Sequence, residues 1–235
     1  MAEKPIIFST EMVKAILDGR KTQTRRVCKE IALCDFEWAL DREPYIGNYR
    51  TFTKVAKEKW DWVTLENMWL YNIQTDVDDY RTYLLKPKYQ PGDHLWVRET
   101  WAYVDRRFGG DDEFYVYRAS EDGQVWEREI ENWCWRPSIH MPKEAARIWL
   151  KVTGVRVERL QDMTEEDARG EGCITFQDKI SNRSFEGVTT FDLTAREAFK
   201  DLWNSINAKR GYGWETNPWV WVIEFEKLGG RTNGN

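Results

Sequence analysis

"STEMVKAILDGRKTQTRR", residues 9–26, holds a helix, its stop and the start of a different structure. Ser9 or Thr10 can cap a helix whose apolar face is Met12, Val13, Ile16 and Leu17. Gly19 stands where a helix end favours a left-handed residue. Arg20, Lys21, Arg25 and Arg26 then crowd around Thr22 and Thr24, and the Thr-x-Thr spacing favours a strand. Taken alone, this basic run reads as a solvated turn before it reads as a site.

Further along, YQPGDHLWVRETWAYV (89–104) turns at Pro91-Gly92-Asp93 and then alternates Leu95 and Val97 with Trp96 and Arg98, as a strand does. FYVYRA (114–119) is another short strand. ARIWLKVTGVRVERL (146–160) is a long strand or a pair of strands. MTEEDARGEG (163–172) starts as a helix, with Thr164 as cap and Asp167 as its capping-box partner. In TAREAFKDLWNSI (194–206), Thr194 and Glu197 form a capping box, and Phe199, Leu202, Trp203 and Ile206 recur at helical spacing. WVWVIEFEKL (219–228) is a final strand, and the tail after it is expected to be disordered.

This order lacks the βαβ alternation and glycine-rich phosphate loop of a nucleotide-binding α/β protein. A small mixed barrel with helices against it, an α+β fold, fits better. Residues 29–87 mix charge with Trp38, Trp60, Trp62 and Trp69 without a clear period, and read as an insertion. Residues 105–145 and 174–193 read as further insertions in one domain spanning 1–235.

Hydrophobic residues at 41% and charged residues at 32% place the chain among globular proteins. A net charge of −5 opposes a surface that coats nucleic acid but leaves room for a local basic pocket. His94 and His140 are the only histidines and neither sits in a recognisable motif, so no histidine triad, metal site or cofactor is expected. Cys28, Cys34, Cys134 and Cys173 form no C-x-x-C pair and read as free, buried thiols. No apolar run reaches the length of a membrane span, and the first residues lack a signal-peptide pattern, so a cytoplasmic protein without a membrane partner is expected. The 14 tryptophans exceed what this length calls for; Trp96, Trp101 and those from 126 to 149 read as packing before base stacking.

"ILDGRKTQTRR", "PGDHLWV", "LQDMTEEDARGEG" and "WVWVIEFEKL" resemble, in order, the landmarks of the ASCH domain, a PUA-like β-barrel family. "PGDHLWVRETWA" resembles its larger, phage-associated branch. The resemblance covers residues 5–28, 88–104, 146–173 and 194–228. It implies a PUA-like mixed barrel with flanking helices and large insertions, and a nucleoside or RNA ligand. Small bacterial members hydrolyse N(4)-acetylcytidine with a Lys, a Thr and a Glu. The matching positions are Lys21, Thr24 and Glu171, with Glu165 or Glu166 as alternatives for the carboxylate. Arg20, Arg25, Arg26, Arg98, Glu99 and Trp101 become candidates for substrate contact. The insertion after Cys28 departs from those small hydrolases. A non-catalytic RNA- or nucleotide-binding module and a ribonuclease are the rival functions.

Amide hydrolysis needs a nucleophile, a base and a stabilised oxyanion. Lys21 can serve as base only if burial and the nearby arginines lower its pKa. Otherwise the glutamate activates water and Lys21 holds the oxyanion. Residues three apart on a regular strand face opposite ways. Lys21 and Thr24 therefore share a site only if Lys21 lies in the turn and the strand begins near Thr22. Arg98 and Glu99 admit a simpler reading, as a cross-strand salt bridge.

Overall fold

The computed structural model describes residues 2–29, 45–48, 69–76, 79–85, 87–104, 114–120, 134–174 and 194–229. Cys34, Trp38, Trp60, Trp62, Trp126, Trp133 and the tail from residue 230 fall outside them, as does most of the stretch 174–193 that the sequence reads as an insertion. No described helix is long and apolar enough to cross a membrane.

Helix α1 (Thr10–Leu17) starts where Ser9 Oγ accepts from the Met12 amide, and it buries Val13, Ala15 and Ile16. Gly19 closes it at φ +75°, a conformation that costs glycine least. The Arg20 and Lys21 amides both return to the Ala15 carbonyl, so the chain stays wrapped on the helix end. Strand β2 (Gln23–Val27) begins only after this turn. Residues 20–26 are therefore not one unbroken strand, and Lys21 precedes the pleat.

Five strands make the main sheet: β1 (Glu3–Ile7), β2, β6 (His94–Arg98), β9 (Trp149–Arg159) and β10 (Trp219–Lys227), in the order β1-β6-β9-β10-β2. The β1–β6 pair is parallel and the other pairs are antiparallel. With the helices, this is an α+β fold around a mixed sheet. The stretch 146–160 supplies one long strand, which pairs with β6 near its start and with β10 along its length. Between residues 45 and 85, β3 (Tyr45–Asn48), β4 (Trp69–Asp76) and β5 (Asp79–Leu85) form a separate antiparallel sheet. β7 (Trp101–Val104) and β8 (Phe114–Tyr117) form a two-stranded pair.

The Pro91-Gly92-Asp93 turn has a structural task. Gly92 is at φ +88°. The Asp93 carboxylate accepts from the Ala2 amide (3.2 Å), Lys4 Nζ (2.6 Å) and the Gln90 amide (3.0 Å). It thereby fixes the entry of β1 beside that of β6. Burial works against the Asp93 charge, but these hydrogen bonds hold its pKa below the ordinary value.

β10 is covered on both faces, which explains why its sequence is an almost unbroken apolar run. Trp221, Ile223 and Phe225 pack with Ile6, Phe8, Leu95, Val97, Leu150 and α1. Val220 and Val222 point the other way. They meet Phe199, Trp203 and Trp214, carried by helix α3 (Ala195–Asn207) and the turn after it, and Ala168 of helix α2 (Glu165–Gly170). Both capping boxes read from the sequence form, Thr164 with Asp167 and Thr194 with Glu197.

Among the described residues the ladder does not close: β1 and β2 are its free edges. Arg26 Nη2 spans the gap between them, donating to the Ile7 carbonyl at 2.8 Å.

Candidate functional site

Lys21 forms a single β-bridge with Glu171, and the Thr22 amide donates to the Gly170 carbonyl at 2.8 Å. This short contact brings the turn after α1 onto the end of α2. Gly172, at φ +89°, reverses the chain there. A Cβ at Gly172 would lie 2.8 Å from Ala15 Cβ and 3.2 Å from Lys21 Cβ, so both dihedral and space require glycine.

The result is a buried ion pair. Lys21 Nζ donates to Glu171 Oε2 at 2.6 Å and to the Glu171 carbonyl at 2.8 Å. The Lys21 side chain is 0% exposed and that of Glu171 is 3%. Arg25 lies on the other side of the carboxylate, its Nη1 3.4 Å from Oε1. The same guanidinium is held by Glu158 Oε1, with Nε at 3.0 Å and Nη2 at 2.7 Å, and by Asp167 Oδ1 at 3.4 Å. Lys21 Nζ and the Arg26 guanidinium lie 5.7 and 5.5 Å from the centre of the Phe8 ring.

These contacts set the protonation chemistry. Burial pushes the Lys21 pKa below its ordinary value, Glu171 resists through charge and hydrogen bonding, and Arg26 adds to the lowering. Burial likewise lowers the pKa of Arg26. The Cys173 thiol is pushed up to about 11, first by burial and then by the Glu171 charge. Burial opposes the Asp167 charge, but the Thr164 amide, Gln23 and Arg25 hold its pKa below the usual carboxylate range.

Glu171, Thr24 and Arg25 line a cavity of about 180 Å³, closed by Phe199, Trp203 and Tyr212. Lys21 does not line it; the lysine lies behind the Glu171 carboxylate. The cavity shares Arg26, Val27, Lys29, Ile206 and Arg210 with a larger neighbour of about 630 Å³, whose wall includes Arg98. Polar atoms and aromatic rings share its wall.

The other sequence-read residues separate. Arg20 hydrogen-bonds Asp18 and the Gly172 carbonyl, and it lines a third cavity, of about 1060 Å³, with Thr22, Gln23 and Asp167. Glu165 accepts from the Ala195 and Arg196 amides, at 2.6 and 3.0 Å, so it caps α3 instead of meeting Lys21. Glu166 lines the third cavity. The expected Arg98–Glu99 salt bridge does not form. Arg98 lies over the Trp96 ring and donates to the Ile139 carbonyl, while buried Glu99 takes two 2.9 Å hydrogen bonds from Arg147. Glu99 lies just past the end of β6 with its side chain buried, while Arg98 stays partly exposed. Trp101 is 4% exposed and packs with Met141 and Ala145, as the packing reading expects. Cys134 is exposed, contrary to the expectation of four buried thiols.

The aromatic wall was not read as part of a site. Phe199 and Trp203 satisfy the apolar stripe of α3, and that stripe gives no sign that it also faces a cavity. Among the described residues no group of three His, Cys, Asp or Glu side chains is arranged to hold a metal ion. The chain matches no protein-family model, no curated protein and no solved structure.

Proposed function

We propose that the Glu171 cavity receives the base of a modified nucleoside, on a PUA-like barrel of the ASCH type, and hydrolyses an acyl amide such as N(4)-acetylcytidine. The observation that carries this reading is the 2.6 Å contact between buried Lys21 and a Glu171 that also lines a cavity beside Thr24. The order of landmark motifs supplies the fold and substrate class. The gap between β1 and β2, bridged by Arg26, is compatible with a barrel completed by side chains.

Two proton schemes were open, and the geometry favours the glutamate as base. Lys21 Nζ is engaged by Glu171 and lies behind the cavity wall, so it is poorly set to deprotonate Thr24. In this scheme Glu171 takes a proton from water as the oxygen attacks the acyl carbon. The Thr24 hydroxyl donates to the developing oxyanion, and Glu171 returns the proton to the departing nitrogen as the C–N bond breaks. Lys21 positions the carboxylate.

A non-catalytic binding module is the second reading. One fact favours it: both Glu171 oxygens already face cations, Lys21 and Arg25, so the carboxylate is held by the protein's own groups. Incubation with N(4)-acetylcytidine and a panel of acylated nucleosides, followed by mass spectrometry, separates the two. The hydrolase reading expects free nucleoside from wild type and its loss in Glu171→Gln and Thr24→Ala. Turnover that persists in both variants removes this site. Absence of turnover across the panel leaves the binding module.

A further inference from the structure

The larger cavity beside the Glu171 pocket has an unusual charge. The whole chain carries −5, yet this cavity is lined by Arg26, Lys29, Lys88, Arg98 and Arg210, and no aspartate or glutamate lines it among the described residues. The third cavity makes the contrast: its two arginines, Arg20 and Arg169, share the wall with Asp18, Glu166, Asp167 and Glu224. Cations gathered in a concave wall focus a positive potential, and they do so more strongly where no carboxylate answers them.

Its floor is apolar, with Ile6, Trp221 and Ile223. Arg98 is held at its wall by stacking over the Trp96 ring and by donating to the Ile139 carbonyl. Arg26, Lys29 and Arg210 belong to this cavity and to the Glu171 pocket alike, so the two are contiguous.

We infer that the ligand is a nucleoside phosphate: the base enters the Glu171 pocket, and the phosphate lies among Arg26, Arg98, Arg210 and Lys88. This rests on reading the Glu171 cavity as the base site, and it adds that the ligand is anionic. The spatial order of aromatic pocket, junction and cationic groove follows the order of base, ribose and phosphate. Arginine guanidinium groups suit phosphate oxygens because they donate in pairs. A free nucleotide and a single RNA strand present the same phosphate chemistry.

Calorimetric titration distinguishes these ligands, using cytidine, cytidine 5′-monophosphate and a short single-stranded oligocytidylate on the full chain. The test variant is Lys88→Ala/Arg98→Ala, at two positions that line this cavity and not the Glu171 pocket. The expected result is monophosphate or strand binding at least about tenfold tighter than cytidine, as for a hydrogen bond to a charged group. That gain should largely vanish in the double variant while cytidine affinity stays unchanged. A strand that binds more tightly than the monophosphate, with a steeper salt dependence, identifies RNA as the source; equal affinities identify the free nucleotide. The inference is overturned if neither phosphorylated ligand outbinds cytidine, or if the double variant keeps the full gain. Deacetylation without a phosphate effect removes this inference alone. Phosphate-dependent binding without deacetylation removes only the hydrolase reading.

Discussion

Replacing Glu171 by glutamine strands a buried cation. Lys21, with its side chain fully covered, loses its carboxylate partner and keeps only neutral acceptors at residue 171, the backbone carbonyl at 2.8 Å and the new amide oxygen, while Arg25 retains Glu158 at 2.7 Å and loses little. Removing one partner of a buried pair costs about 3–5 kcal/mol, because the other charge stays desolvated. Lys21→Met is the milder change, since Glu171 still has Arg25 at 3.4 Å; its cost should be about 1–3 kcal/mol, that of one unsatisfied polar group. The double change Lys21→Met/Glu171→Leu removes both charges together and should return close to wild type. Urea unfolding measures all three, provided the m-values agree. The pH dependence gives an independent check. With Glu171 neutralised, burial and Arg26 both lower the Lys21 pKa, which then lies further below 10.5. Between that folded pKa and 10.5 the unfolded chain binds more protons, so stability rises with pH and the Glu171→Gln deficit shrinks. The reasoning is refuted if Glu171→Gln costs under about 1 kcal/mol, or if Lys21→Met costs more than it does.

Three other results follow from the same geometry. Gly172→Ala should lower Tm more than Gly19→Ala: both carry the left-handed cost of about 1–2 kcal/mol, but only at Gly172 does the new Cβ meet Ala15 and Lys21, adding about 1–3 kcal/mol. Equal shifts would show that the α1–α2 contact is loose. At neutral pH a thiol reagent should modify exposed Cys134 well before Cys173, whose pKa is near 11, and Glu171→Gln should speed the Cys173 reaction; peptide mass spectrometry reads both rates. The Asp167 pKa lies below its ordinary 3.8, so stability should fall as acid takes the pH below that value, and Asp167→Asn should flatten the fall; an unchanged slope of urea midpoint against pH contradicts this.

Local rules were enough for much of the scaffold. Ser9, Gly19, Thr164, Thr194 and Glu197 act at the backbone positions that their chemistry favours, and each depends only on residues a few places away. The Lys21 turn was expected through the resemblance, as the condition for Lys21 and Thr24 to share a site. Long-range pairings were not legible. Glu165, Glu166 and Glu171 are equivalent as carboxylates in a short helical segment. Only the meeting of segments distant in sequence tells them apart: Glu165 caps α3, while Glu171 reaches Lys21 across a bridge of backbone. Glu99 shows the same limit, because its partner Arg147 lies on a distant segment. The basic groove was invisible for a related reason: Lys29, Lys88 and Arg210 are far apart in sequence and converge only in space.

Whether the Glu171 cavity takes a pyrimidine base can be seen in a crystal structure of the wild-type protein grown with cytidine. The pyrimidine ring should lie in the cavity formed by Thr24, Trp203 and Tyr212, with its exocyclic amino group toward Glu171. Cytidine seated among Gln23, Asp167 and Arg169 instead, or absent from the protein altogether, would contradict that placement.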